Sequence, residues 1–200
     1  MSDPTLAWQR LQEGNDRQVA FHRLAARTCP PHAAVFRCAE ADAASDVLLG
    51  HGAGSLIDVS TWGHVIDVGV LATMEHAVDG LGVPLIVILG HEDCSAIQAA
   101  IRAWNDISIP DGATRVAIEQ AMSSIVRRRR ATEMFDDVCS SHILEVGLAL
   151  MQRSPVIARR IDSGECGIVC ATTDPSDGRI RVHGTMGAID ATSDALLERV

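Results

Sequence analysis

Short runs of consecutive aliphatic residues alternate along this chain with longer stretches whose apolar positions recur every three or four residues. The clearest run is Leu85-Ile86-Val87-Ile88-Leu89, set between Pro84 and Gly90. Unbroken apolar character over so few residues predicts a strand buried on both faces, as the interior of a parallel sheet requires. Ala33-Ala34-Val35-Phe36, ending at Arg37-Cys38, predicts a first strand, and Ser55-Leu56-Ile57-Asp58-Val59 a second. Gly167-Ile168-Val169-Cys170-Ala171 and Ile180-Arg181-Val182 read as a strand pair across the Asp174–Gly178 turn. Helical spacing appears from Gly69 to Leu81, where Val70, Met74, Ala77, Val78 and Leu81 share a face and Gly80 and Gly82 close the element. This is the crossover expected between parallel strands.

Other helices are predicted around it. Asp3-Pro4 opens one in which Leu6, Leu11 and Val19 form an apolar face for another subunit or the sheet. Asp93 is expected to cap a helix carrying Cys94, Ile97 and Ile101. Further helices are expected over Thr114–Arg130, over Asp136–Gln152 with Val138, Leu144, Leu148 and Met151 inward, and from Ser154-Pro155 to Gly164. The order predicts an α/β protein with a mostly parallel central β-sheet flanked by helices. Residues 1–200 are read as a single domain with an N-terminal helical arm.

Composition narrows the function classes. Apolar residues make up 47% and charged ones 22%, ordinary for a globular chain and unlike a disordered or fibrous one. Aromatics are only 3%, with no Tyr, and the net charge is −9. Both argue against a nucleic-acid partner, which needs stacking platforms or a basic surface. The run Arg127-Arg128-Arg129-Arg130 is read as a solvated helix face or end. Met1-Ser2-Asp3-Pro4 does not resemble a signal peptide, and no stretch is apolar for the length of a membrane span. A cytoplasmic protein without membrane association is expected, and its six cysteines are then thiols or metal ligands rather than disulfides.

Candidate chemistry gathers at the strand ends. Beyond the central strand stands Gly90-His91-Glu92-Asp93-Cys94, and in open α/β sheets the crevice past the carboxyl ends of the strands is where ligands bind. His91 and Cys94 form a half-site suited to zinc, and Cys94 at a helix start favours thiolate. Cys38 ends the first strand and supplies a third donor to the same crevice. Two acids, Glu40 and Asp42, follow it; they suit either a solvated helix start or the flank of a metal. Gly50-His51-Gly52-Ala53-Gly54 lacks the spacing of a phosphate loop. Cys166 and Cys170 are read as structural thiols on one face of a strand.

Taken together these motifs resemble the β-class carbonic anhydrases. The resemblance rests on Leu11-Gln12-Glu13-Gly14-Asn15, Cys38-Ala39-Glu40, Leu81-Gly82-Val83-Pro84, Gly90-His91-Glu92-Asp93-Cys94-Ser95-Ala96-Ile97, Ser154-Pro155 and Gly167-Ile168-Val169. It implies a zinc enzyme, a homodimer or higher homo-oligomer, that hydrates CO₂ to bicarbonate. Zn²⁺ would be held by Cys38, His91 and Cys94 and would bring a water towards ionisation near neutral pH. The family's Cys-x-Asp-x-Arg becomes Cys38-Ala39-Glu40-Ala41-Asp42, so an acid stands where an arginine normally holds the catalytic carboxylate. His51 replaces a pocket glutamine, Ser60 and His64 an Arg and an Asn, and Ser95 a glycine. Glu40, Asp42 and His51 are therefore the candidate catalytic residues. Glu40, or else Asp42, is expected to close the site, with weak hydration as the consequence. The alternative is a zinc-binding homologue without hydration, acting on another small electrophile or as a non-catalytic partner subunit. A further alternative is a sheet that survives without metal.

Overall fold

The computed structural model describes residues 4–21, 30–41, 43–52, 54–127, 135–174 and 178–189. The chain divides into two compact units, Met1–Pro30 and Pro31–Val200. The first contains helix α1 (Pro4–Phe21), on which Leu6, Trp8 and Leu11 are exposed. Asp3, the expected cap of α1, and the side chain of Val19 lie outside the described residues.

The second unit is built on a five-stranded sheet in the order β2-β1-β3-β4-β5. Strands β1 (Ala33–Cys38), β2 (Leu56–Thr61), β3 (Leu85–His91) and β4 (Gly167–Thr173) are parallel. Strand β5 (Ile180–Met186) runs antiparallel to β4, with an irregularity between Cys170 and Ala171. The fold is thus α/β with a mostly parallel central sheet, and the aliphatic run that predicted β3 occupies its middle. Alternate residues separate onto the two faces, as strand geometry demands. Ala34, Phe36, Ile86, Ile88, Ile168 and Cys170 join one core cluster. Helices α3 (Val68–Glu75), α6 (Phe135–Arg153) and α7 (Pro155–Asp162) cover it with Val70, Met74, Val146, Leu150 and Ile157. On the other face Ala33, Val35, Val87, Leu89 and Ala171 pack with Leu48 and Leu49, at the end of the short helix α2 (Ser45–Leu48).

Several sequence expectations are refined. The crossover over 69–81 is α3 followed by one π turn, His76–Gly80, and Asp67 caps it by accepting from Val70 N–H at 2.8 Å. Helix α5 runs Thr114–Arg127, and Arg128 to Arg130 lie outside the described residues. Ser154 caps α7, accepting from Ile157 N–H at 3.1 Å. The inward face of α6 differs from the expected one. Val138 is buried, but the other fully buried apolar residues are Cys139, Ile143, Val146 and Leu150, while Leu144, Leu148 and Met151 are half-buried. The physical reason is that α6 packs on the sheet and on α5 together, so a broad face is covered and a single stripe cannot be chosen by spacing. Cys166 precedes β4 rather than sharing the strand with Cys170, though both belong to the same core cluster. No described helix is long and apolar enough to cross a membrane.

Candidate metal centre

Because β1 and β3 are adjacent and parallel, their C-terminal ends emerge at the same edge of the sheet. Cys38 is the last residue of β1 and His91 the last of β3. After His91 the chain turns through Asp93, whose φ of 59° lies in the left-handed region that aspartate tolerates better than most residues. The turn returns Cys94 to the strand ends as the residue preceding helix α4 (Ser95–Asp106). Asp93 is therefore not the cap of that helix, as the sequence suggested; Cys94 holds the N-cap position and makes no side-chain cap bond.

The sulfurs of Cys38 and Cys94 are 3.9 Å apart. Together with His91 and Glu40 they form a group whose ligand atoms all lie within 4.8 Å of one another. His91 Nδ1–H donates to the carbonyl of Glu92 at 2.7 Å, which leaves the lone pair on Nε2. That Nε2 is buried and has no hydrogen-bond partner. A buried nitrogen without a partner is costly unless something coordinates it. Two sulfurs and one imidazole, with the imidazole fixed through its other nitrogen, fit zinc with a fourth position to spare. The three donors also shift one another's protonation. The Cys94 S–H bonded to Cys38 pulls the Cys38 thiol far below its ordinary range, against the cost of burial, and pushes Cys94 upward. The Cys38 thiolate in turn raises His91.

Glu40 has an anchor that the sequence did not disclose. Its Oε2 accepts from the backbone N–H of Ser95 at 2.9 Å, at the first turn of α4. A first-turn N–H and the positive end of the helix thus take up this carboxylate. The arginine nearest to Cys38 in sequence, Arg37, is committed elsewhere, donating through Nε to Asp58 at 3.1 Å and through Nη1 to the Cys38 carbonyl at 3.3 Å. Ser95 Oγ accepts from Trp62 Nε1–H at 3.0 Å. Asp42 lies outside the described residues. His51 is exposed, its ring 5.8 Å from that of His32, and it is not part of the donor group. Ser60 is exposed as well.

Behind the donors stand His64, which the sequence reading named, and Gly63 and His142, which it did not. The Gly63 N–H donates to Cys38 Sγ at 3.5 Å. Gly63 has φ 65°, and a Cβ there would come within 2.7 Å of Ala96 Cβ, so glycine is required twice over. A small cavity behind His91 and Cys94 is walled by His64, Cys139, His142 and Ile143. His64 and His142 are fully buried, and burial holds both below the ordinary histidine range, His142 at about 4. His64 was marked by standing where the family has an Asn, whereas the local sign of His142 was a histidine within the largely apolar helix α6.

The family model described as "Carbonic anhydrase" matches residues 33–180. "Carbonic anhydrase 2" of Mycobacterium tuberculosis is 38% identical over 200 residues, covering 94% of this chain and 97% of that one. Among solved structures, the β-carbonic anhydrase CafA of Aspergillus fumigatus superposes with a TM-score of 0.72 at 18% identity, covering 95% and 92% of the two chains. One of two tetrameric β-carbonic anhydrases from Sordaria macrospora gives a TM-score of 0.64 at 18% identity, covering 89% and 92%.

Proposed function

The chain belongs to the β-carbonic anhydrase family, and from that premise we propose that it is a cytoplasmic zinc enzyme catalysing the reversible hydration of CO₂ to bicarbonate. The observation that carries this reading is the orphaned, buried Nε2 of His91 within 4.8 Å of two thiols and a carboxylate. Cys38, His91 and Cys94 would hold the ion, which when bound supplies the Lewis acidity that acidifies water. The chain's own groups then decide how well the site works. Two thiolates already neutralise a divalent cation, so Glu40 at the fourth position would leave a net negative centre. The N-terminus of α4, bonded to Glu40 through Ser95, offsets that charge.

We assign Glu40 to the resting state as the group that closes the fourth position, with Asp42 as second candidate and His51 as a third catalytic candidate outside the donor group. Hydration is weak as a result. Residues 1–200 act as one catalytic domain with an N-terminal arm. The exposed Leu6, Trp8 and Leu11 of α1 support assembly into a homodimer or larger homo-oligomer. Metal analysis with stopped-flow CO₂ hydration tests the reading. One zinc per chain is expected, with a measurable kcat/KM well below the ~10⁷ to 10⁸ M⁻¹s⁻¹ of efficient enzymes. A chain without zinc would refute it. Zinc without any hydration would favour the second reading, a zinc-binding homologue or partner subunit, which draws its support from the acid at position 42 in place of an arginine.

A further inference from the structure

We propose that His142, locked by Ser124, is a positioning residue for the metal centre: it fixes the turn whose Gly63 amide donates to the Cys38 sulfur. The turn after β2 has two successive residues in the left-handed region, Gly63 at φ 65° and His64 at φ 54°. Glycine takes that conformation freely, but for His64 it is unfavourable and persists where the surroundings over-determine it. The determinants come from α5 and α6. Gly63 O accepts from His142 Nε2 at 3.1 Å, and His64 O accepts from Gln120 Nε2 at 2.7 Å. Gln120 Oε1 takes the Ile66 N–H at 3.2 Å, and Arg153 Nη1 donates to Ile66 O at 2.6 Å.

The tautomer of His142 follows from its partners. A carbonyl can only accept, so Nε2 carries the hydrogen; Nδ1 is then an acceptor facing the Ser124 hydroxyl at 3.0 Å, whose single proton is shared between this nitrogen and the Gln120 carbonyl at 3.2 Å. Ser124 therefore supports the ring orientation that sends Nε2 to Gly63. With the carbonyl side of Gly63 held, its N–H stays aimed at Cys38 Sγ. An N–H bonded to a thiolate withdraws charge from sulfur and favours the ionised form, which is the form that binds a metal. His142 touches neither metal nor substrate, and it acts through Gly63.

This inference rests on Cys38 being a ligand. The test compares the full-length wild type with His142→Phe, His142→Gln and Ser124→Ala. Zinc affinity is measured by competition with a chromophoric chelator, and the sulfur-to-cobalt charge-transfer band is recorded after loading with Co²⁺. Outer-shell partners of metal ligands change affinity by about 10- to 100-fold, and His142→Phe is expected to lose that much. Its charge-transfer band should move to lower energy, since the sulfur regains charge. Ser124→Ala should shift the band in the same direction by less. His142→Gln, which can still present an N–H to Gly63 O, should restore the wild-type band. An unchanged band in both His142→Phe and Ser124→Ala overturns the proposal, as does a His142→Gln protein as impaired as His142→Phe, which would make the role one of packing. If His142→Phe does not fold, Ser124→Ala and His142→Gln decide by the same criteria. A wild-type chain that takes up no cobalt instead refutes the ligand assignment itself.

Discussion

Cys38, His91 and Cys94 are each set by regular backbone: two strand ends paired in register through Arg37 and Leu89, and a helix start one turn later. Glu40 and His51 belong to the connection between β1 and β2, are exposed, and take no part in the sheet ladder. The two regions adjoin in the chain yet obey different constraints. Moving a donor means moving a strand end that the whole core holds in place. Changing the connection costs little, provided a carboxylate there finds a partner. A carboxylate can therefore stand in this loop with no arginine two residues on, because the Ser95 N–H at the start of α4 donates to Glu40.

The largest expected effect would break this contrast outright. Cys94→Ser should abolish stoichiometric zinc, measured by metal analysis after gel filtration, because the hydroxyl is a far poorer ligand than the thiolate at an N/S site. Full zinc retention would mean that the strand-end region is no more constrained than the loop.

The next effect probes the support behind the donors. Burial holds His142 at about 4, whereas in the unfolded chain it titrates near 6.5. Above 6.5 both states are neutral and the group contributes nothing to the pH dependence. As pH falls from 6.5 towards 4 the unfolded state alone gains the proton, so stability is lost, by about 3 kcal/mol in total. Urea unfolding between pH 7 and 4 should show this slope, and His142→Gln should reduce it. Equal slopes in the two proteins would remove the assignment.

Glu40→Ala tests the loop side. Loss of the carboxylate at α4 should cost about 1 kcal/mol in urea unfolding, as other lost helix caps do. If Glu40 closes the fourth position, the same change raises kcat/KM for CO₂ hydration, by up to about tenfold. A fall instead would show that Glu40 orients the reaction rather than blocking it. The smallest effect is expected at His51. His51→Ala should change stability by less than about 0.5 kcal/mol, as exposed substitutions usually do, and leave zinc content at one per chain.

The same contrast explains what could be read from sequence. Unbroken aliphatic character made β3 legible, and His91 and Cys94 announced themselves by following it. Cys38 was legible because its strand also ends there. The anchor of Glu40 was not, because the N–H that binds it lies 55 residues further on, while local reasoning pointed to Asp93 as the cap. Asp93 instead takes the left-handed turn that brings Cys94 back. The inward face of α6 was misjudged towards Leu144, Leu148 and Met151, since a helix packed on two sides carries no single stripe. Gln120, Ser124 and His142 were invisible for a related reason: their partners are backbone groups of a turn 54 to 79 residues away, or one another.

The order of elements has a consequence for synthesis on the ribosome. All four members of the donor group precede α4, whereas His142 and Arg153, which brace the turn at Gly63, arrive with α6. The whole candidate donor set is thus translated before the helix that braces the turn behind it, so on the ribosome the groups that would take an ion exist before their support does.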